Sequence, residues 1–419
     1  MSRPNILLLV VDCLRADHVY QPGLAHTPTL DAMRAGGFSF LNTITTNTQT
    51  TPAFGCLLTA KYPFETGIRS LYGHRLAEGV RTLPEMLRAA GYRTVAEVSG
   101  PLAEEAGLNR GFDEYRFRSK KVTLYGEWGD ALLAKFRATP PAPWFMLLHL
   151  WEVHLKRRVL PECDNDRCGK TSYARAVSSL DLYLGRLLQA LPQNTVVALT
   201  GDHGEMITQS ARERKWKKAR KRLYMFLHKH HLTSRHPAHA LRGCWEGHGH
   251  MLYDELIKVP LVLHGPGVIP HGASEKQVRH VDIPATILEL GGAAPAAGLT
   301  GRSLMEMVRG APGEHRDAYT EVAGAQYFNK DLALAALRTE NRYKYIYAPF
   351  NNRFKPELFD LAADPGERRD IARSSPDIAA RLRGALDAMA VERMPGMEMT
   401  DAEKAAALER LKSLGYHDV

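Results

Sequence analysis

Asp202-His203-Gly204-Glu205 sets a carboxylate and an imidazole side by side after an apolar run. Both groups can bind one divalent cation, and the glycine lets the backbone turn away from it. Mixed nitrogen and oxygen ligands suit Zn²⁺ and Mn²⁺, while Ca²⁺ or Mg²⁺ would need more oxygens. The same four residues would also serve as an ordinary turn. Asp12 directly follows the apolar run from Ile6 to Val11, where a buried carboxylate is costly unless it is paired or metal-bound. A helix N-cap or an ion pair with Arg15 are the plainer alternatives. Together, Asp12, Asp202 and His203 make a three-ligand site for one cation.

The segment from Thr48 to Thr51, ahead of Pro52, predicts the start of a helix running through Gly55, Leu57 and Leu58. Proline is favoured in a first turn and a hydroxyl residue before it is a normal cap. The same geometry suits a nucleophile. A Thr50 hydroxyl at a helix N-terminus and beside a metal has its alkoxide stabilised by both. That helix end would also favour a phosphate or sulfate group.

These groups need elements to position them. The near-continuous apolar run over Asn5–Val11 predicts a central parallel strand. Further strands are expected at Arg93–Val98, Trp144–Leu150, 194–200 and 259–263. Helices are expected at 82–90, closed by Gly91, and at 173–191, where Val177, Leu180, Leu184 and Leu188 form one stripe. Asp12, Glu152 with His154, and Asp202 with His203 each follow the C-terminal end of a strand, the edge where open α/β sheets place their sites. After about residue 310 the pattern changes to short strands at Ala318–Val322, Leu334–Arg338, Tyr343–Tyr347 and 357–361, then helices at Pro376–Ala390 and Asp401–Ser413. The expected organisation is a catalytic domain over 1–310, interrupted by an insertion at 210–244, and a smaller subdomain over 311–419.

The charge is concentrated. The 419 residues carry a formal +9, yet the stretch from Arg212 to Arg222 alone holds eight Lys/Arg and one Glu. An acidic partner is therefore a question about this one segment. Trp216, Ala219, Leu223 and Leu227 fall at helical spacing within it. The segment reads either as a solvated arm or as a cationic lid for a polyanion or an anionic membrane surface. Nucleic acid is disfavoured because no aromatic platform is interleaved with the charge. Five cysteines are too few and too scattered for a disulfide framework, and Cys163 and Cys168 read as free thiols. No apolar run of about 18 residues suggests a membrane span. The first apolar run is too short for a signal peptide and ends in Asp12, so a cytoplasmic protein is expected.

Laid end to end, these motifs resemble the sulfatase-like enzymes of the alkaline phosphatase superfamily. Pro4-Asn5-Ile6-Leu7-Leu8-Leu9-Val10-Val11-Asp12-Cys13-Leu14-Arg15-Ala16-Asp17 is similar to their opening strand and metal-binding turn. Thr50-Thr51-Pro52-Ala53-Phe54-Gly55 resembles their nucleophile helix, and Asp202 to Glu205 their second metal turn. Gly247-His248-Gly249-His250-Met251 resembles the segment that carries a catalytic Lys or His, with His250 competing with His248 for the role. His154 matches a histidine after a strand, although Lys156 stands where that pattern has proline. The resemblance implies an α/β sandwich with a largely parallel sheet and a smaller C-terminal α+β part. It also implies one or two divalent cations per chain.

The departures narrow the chemistry. Sulfatases of the commonest type convert a Cys or Ser in a Cys-x-Pro-x-Arg context to formylglycine. Here Thr50 and Phe54 occupy those places, and threonine cannot give that aldehyde. Cys13 stands where a second Asp is usual, which shifts the expected metal towards Zn²⁺ or Mn²⁺. The expectation is therefore hydrolysis of phosphate esters through a phosphothreonine at Thr50. Asp12, Thr50, Asp202 and His203 would hold a cation, and His154 and His248 would act on the transferring group, either directly or through a second metal completed by Glu205. Sulfate-ester hydrolysis without formylglycine, group transfer to an acceptor hydroxyl, and a non-catalytic binding protein are the alternatives. Sequence leaves the oligomeric state open.

Overall fold

The chain is described from a computed structural model covering residues 3–207 except 103, 120, 139, 140 and 142. It also covers 216, 219, 220, 222–224, 226, 227, 236 and 242, and then 247–413 except 325–328, 330, 341 and 391–396. Eight strands form the main sheet: β1 (Asn5–Val11), β2 (Phe38–Ile44), β4 (Arg93–Val98), β5 (Glu114–Phe117), β6 (Trp144–Leu150), β7 (Thr195–Gly201), β8 (Lys258–His264) and β9 (Gly272–Arg279). Their order is β5-β4-β6-β1-β7-β8-β2-β9. The strands from β5 to β7 run parallel, β8 is antiparallel to both its neighbours, and β2 and β9 pair in parallel.

β1 sits inside the sheet and is buried along its whole length. Its side chains alternate between two cores, as a strand covered on both faces must. Ile6, Leu8 and Val10 pack with Leu57 and Leu58, with Leu83, Met86 and Leu87, and with Ile283 and Ile287. Leu7, Leu9 and Val11 pack with Leu30 and Met33, with Leu132 and Phe136, and with Val177, Leu180 and Leu184. The helices Thr50–Leu57, Leu83–Ala89 and Asp282–Leu290 thus cover one face. Pro28–Ala35, Glu127–Arg137 and Ser172–Ala190 cover the other. This is the α/β sandwich expected from the sequence.

A second, antiparallel sheet of β10 (Ala318–Val322), β11 (Leu334–Arg338), β12 (Tyr343–Tyr347) and β13 (Glu357–Asp360) forms the C-terminal part. It is followed by the helices Pro376–Ala390 and Asp401–Ser413. β3 (His74–Arg75) and β14 (Met397–Glu398) make a short ribbon. Among the described residues, no helix is long and apolar enough to cross a membrane. Most of the basic stretch from Arg212 to Arg222 lies outside the described residues. Of its expected apolar stripe, Trp216 and Leu223 are exposed. Cys163 and Cys168 are free, buried thiols.

Candidate active site

Strand register brings the site together. Val11 pairs with Leu150 on β6 and with Gly201 on β7. The next residue along each of the two β strands, Asp12 and Asp202, therefore emerges at the same level of the sheet. Both are fully buried. The Cys13 backbone N–H donates to Asp202 Oδ1 at 3.0 Å, tying the two turns to each other. Gly204 is needed where it stands, because a Cβ there would lie 2.1 Å from the Glu255 carbonyl oxygen.

Thr50 is the first residue of its helix, not the cap. The N-cap is Gln49, which makes no side-chain capping bond. The Thr50 hydroxyl points instead to Asp12 Oδ2 at 3.3 Å and lies 3.5 Å from His203 Nε2. It is nearly fully buried. The plainer reading of this segment as a hydroxyl cap is thus not what the fold adopts.

Four histidines surround these carboxylates. His149, His154 and His203 each place Nδ1 against a backbone carbonyl: Ser99 at 3.1 Å, Leu155 at 3.3 Å and Gly204 at 2.9 Å. Since a carbonyl only accepts, each Nδ1 carries the proton and each Nε2 presents a lone pair. Two of those lone pairs face carboxylates, His149 towards Asp12 Oδ2 at 3.3 Å and His203 towards Asp202 Oδ2 at 3.4 Å. Acceptors facing acceptors need a proton or a shared cation between them. Fixing the tautomer through the distal nitrogen is how metal-ligating histidines are usually held. The fourth, His248, has Nδ1 3.3 Å from Glu205 Oε1 and 3.4 Å from Cys13 Sγ.

The electrostatics follow from this crowding. Burial works to raise the Asp12 carboxyl, but the hydrogen-bonding contact with His149 and the surrounding imidazoles of His154 and His203 outweigh it and hold it well below the usual range. Burial and the charge of Asp12 push Asp202 up. His154 is lowered to about 4, mainly by burial. Burial alone would also lower His248, but Glu205 raises it to about 9. Burial and the neighbouring carboxylates Asp12, Glu205 and Asp202 push the Cys13 thiol well up.

The residues fit a divalent cation. Asp202 Oδ2, Glu205 Oε2 and His149 Nε2 are buried and lack a hydrogen-bond partner among the described residues. Buried polar atoms of native proteins are normally satisfied, so three orphans in one pocket point to a missing ligand. Ligand atoms within 4.8 Å of one another form three overlapping groups: Asp12 with His149 and Asp202, Asp12 with Cys13 and His154, and Cys13 with His203 and His248. Among the described residues no one group holds all three ligands expected from sequence: Asp12 and Asp202 share one, Asp12 recurs in the second and His203 lies in the third, with the Thr50 hydroxyl near both Asp12 and His203. His149 is the residue that sequence reasoning missed. Its only signal was a single imidazole inside the apolar run Trp144–Leu150.

Two expectations are refined. Glu152 does not face the pocket: it accepts from the Leu124 N–H at 2.8 Å and pairs with Arg118, so it holds a neighbouring loop. Of the two candidate histidines after Gly247, His248 joins the cluster, while His250 Nδ1 lies 3.4 Å from the Gly324 carbonyl oxygen. A separate cavity of about 560 Å³ is lined by Arg15, Asp17, Lys258 and Arg338, and neither Thr50 nor the carboxylates and histidines clustered around it line it.

The sulfatase family model matches residues 4–293, and the model for the N-sulphoglucosamine sulphohydrolase C-terminal region matches 247–392. The chain belongs to the sulfatase family. It is 27% identical to arylsulfatase K of Mus musculus over 50% of this chain and 34% of that protein. The match therefore spans about a third of the length of this relative. It is 23% identical to a Delta 4,5-hexuronate-2-O-sulfatase of Bacteroides thetaiotaomicron, over 92% of this chain and 88% of the relative. Among solved structures, a phosphonate monoester hydrolase of Agrobacterium radiobacter superposes with a TM-score of 0.70 at 18% identity, covering 96% of this chain and 97% of that one.

Proposed function

We propose that the chain is a metal-dependent hydrolase of phosphate or sulfate esters, with Thr50 as the attacking group. The observation that carries this reading is the Thr50 hydroxyl, held at the start of a buried helix between Asp12 Oδ2 and His203 Nε2. Asp12, Asp202 and His203, with His149 behind them, would hold the cation beside it. When bound, such a cation lowers the pKa of the adjacent hydroxyl and neutralises charge developing on the transferring group. The Thr50 oxygen releases its proton to solvent and forms its bond to phosphorus or sulfur in line with the departing oxygen, which leaves with its bonding pair and takes a proton from His248. Asp12 Oδ2 orients the hydroxyl proton beforehand. The helix N-terminus adds partial positive charge on the side where the anionic group lies. His154, grouped with Asp12 and Cys13, and His248, grouped with Cys13 and His203, act on the oxygens of the transferring group. Water then cleaves the Thr50 ester and restores the hydroxyl.

Within this reading we favour phosphate esters and a phosphothreonine intermediate, because an unmodified threonine hydroxyl is what the site presents. Sulfate esters remain the second reading, supported by the names of the matched relatives, which are sulfatases. Steady-state turnover of matched aryl phosphate, phosphodiester and sulfate substrates decides between them. Phosphate turnover with a trapped phosphate on Thr50, seen by mass spectrometry after acid quench, supports the first reading. Sulfate turnover at the higher kcat/KM overturns it.

A further inference from the structure

The loop that follows β4, residues 99–101, contains no carboxylate, imidazole or thiol, yet each of its residues bears on the site. The Ser99 carbonyl accepts from His149 Nδ1–H at 3.1 Å. The Pro101 carbonyl accepts from the hydroxyl of Thr51, the neighbour of Thr50, at 3.3 Å. Between them stands Gly100. It adopts φ 68°, and a Cβ there would lie 2.2 Å from Trp151 Cζ3 and 2.6 Å from Cε3. A left-handed backbone and a close approach to an indole thus meet at one glycine.

Trp151 in turn bears on His154. The His154 N–H donates to the Trp151 carbonyl at 3.2 Å, so the two residues open and close a tight turn at the end of β6. Their rings stack, with centroids 3.9 Å apart and planes 20° from parallel. The same indole meets His149 edge-on, with centroids 5.8 Å apart and planes at 82°. His154 Nδ1 is restrained by the Leu155 carbonyl at 3.3 Å, and the indole face closes one side of the ring.

We propose that Trp151 is a positioning residue: seated against Gly100, it holds the plane of the His154 imidazole towards the transferring group. The inference rests on the hydrolase reading for the role of His154 and adds how that ring is aimed. A misplacement of about 1 Å can cost on the order of 100-fold in rate, so a ring carried on a turn gains from a rigid backing. An aromatic face fixes a ring plane without using either ring nitrogen.

The test reads the ring's position apart from turnover. In the full chain with labelled histidines and saturating Zn²⁺, the carbon-bound ring protons of His154 should resonate upfield of the usual histidine range, because they lie over the indole. His154→Ala identifies the signal by its loss. Trp151→Leu should return it to the usual range and lower kcat about 10- to 100-fold, with KM changed less than about threefold. Trp151→Phe, which keeps an aromatic face, should retain most of the upfield shift and about half of the wild-type kcat or more. In a His154→Ala background, Trp151→Leu should cost less than about twofold further. An unshifted His154 signal in the wild type overturns the proposal whether or not an ester is turned over. Equal losses from Trp151→Leu with and without His154 also overturn it, since Trp151 would then support the fold at large. A chain that shows the stacked signal but turns over neither phosphate nor sulfate esters would sink the hydrolase reading, while the placement of His154 by Trp151 would hold.

Discussion

Two of the buried charge clusters among the described residues are built on opposite terms. Around Asp254 the charges balance. Arg338 and Lys344 both contact Asp254, at 3.2 Å and 2.7 Å, and Lys344 also contacts Glu367. Arg242 reaches Glu255 at 3.2 Å and Glu367 at 3.7 Å. Three cations meet three anions, and Lys344 is fully buried. In the pocket at Thr50, Asp12, Asp202 and Glu205 are equally buried, but their ion-pair partners among the described residues are histidines alone. A balanced cluster fastens parts of the chain together, here the segment before β8 and the C-terminal sheet. An unbalanced one stores a charge deficit that a ligand must fill.

The contrast can be broken most sharply at Thr50. Thr50→Ala should lower ester turnover about 10⁴-fold or more, because a lost nucleophile is not replaced by its neighbours. Its denaturation midpoint should hardly move. If the variant keeps a tenth of wild-type kcat in steady-state assays, another group attacks. The reverse pattern is expected at Lys344. Lys344→Met leaves Asp254 and Glu367 short of a buried partner and should cost about 3–5 kcal/mol in urea unfolding. Residual folded protein should still bind metal. A cost below about 1 kcal/mol would mean that water already relieves that cluster.

Chelation tests the deficit itself. Removing metal should abolish turnover and lower stability by about 3 kcal/mol, the linkage expected for an ion held at a hundred times its Kd or more. A chain equally stable with and without chelator would show that protons, not cations, fill the pocket. A smaller effect separates the clusters by pH. Burial and the Asp254 charge raise the Glu367 carboxyl to about 7, against the opposing pull of Lys344. The folded state therefore binds a proton that the unfolded state has lost between about pH 4.5 and pH 7. Glu367 should thus subtract from stability as pH rises through that window. Glu367→Gln should flatten this component in pH-dependent unfolding, and an unchanged slope would remove Glu367 as its source. The smallest effect concerns the basic insertion. Replacing Lys215, Lys217, Lys218, Arg220 and Lys221 with Gln should change turnover of a small aryl ester less than about twofold, while weakening sedimentation with anionic vesicles and its salt dependence. Equal loss on both readouts would reject a recruiting role.

Much of this site could be read from the sequence because strand ends advertise it. β1, β4 and β6 fall where apolar runs place them, and Asp12 and Asp202 follow their runs directly. What escaped notice has physical reasons. β9 reads Gly-Ala-Ser-Glu-Lys-Gln-Val-Arg, an edge strand with one solvent face and almost no apolar signal. β2 carries a register shift between Phe40 and Thr43 where it pairs with β8, which breaks the alternation expected of a strand. His149 was hidden because a burial pattern does not reveal which way one polar side chain points. Pairing with β1 decided it, setting His149 beside Val10, two residues before Asp12. Thr50 was legible as a residue but not as a role. Its type fits both a cap and the proposed nucleophile, and the placement of Gln49 as the N-cap removes the capping reading.

Met206 and Gly247 exchange two backbone hydrogen bonds, each 3.1 Å. They close the base of the insertion immediately beyond Glu205 and before His248. A clasp of this kind makes the intervening sequence replaceable: its length can change at little entropic expense once its ends are fixed, and the sheet beneath need not register the change. It also makes the clasp a lever. A partner that pulls on the insertion pulls first on the pair of residues bordering the reaction, so variation in the insertion could retune selectivity over generations while the central sheet stays as it is.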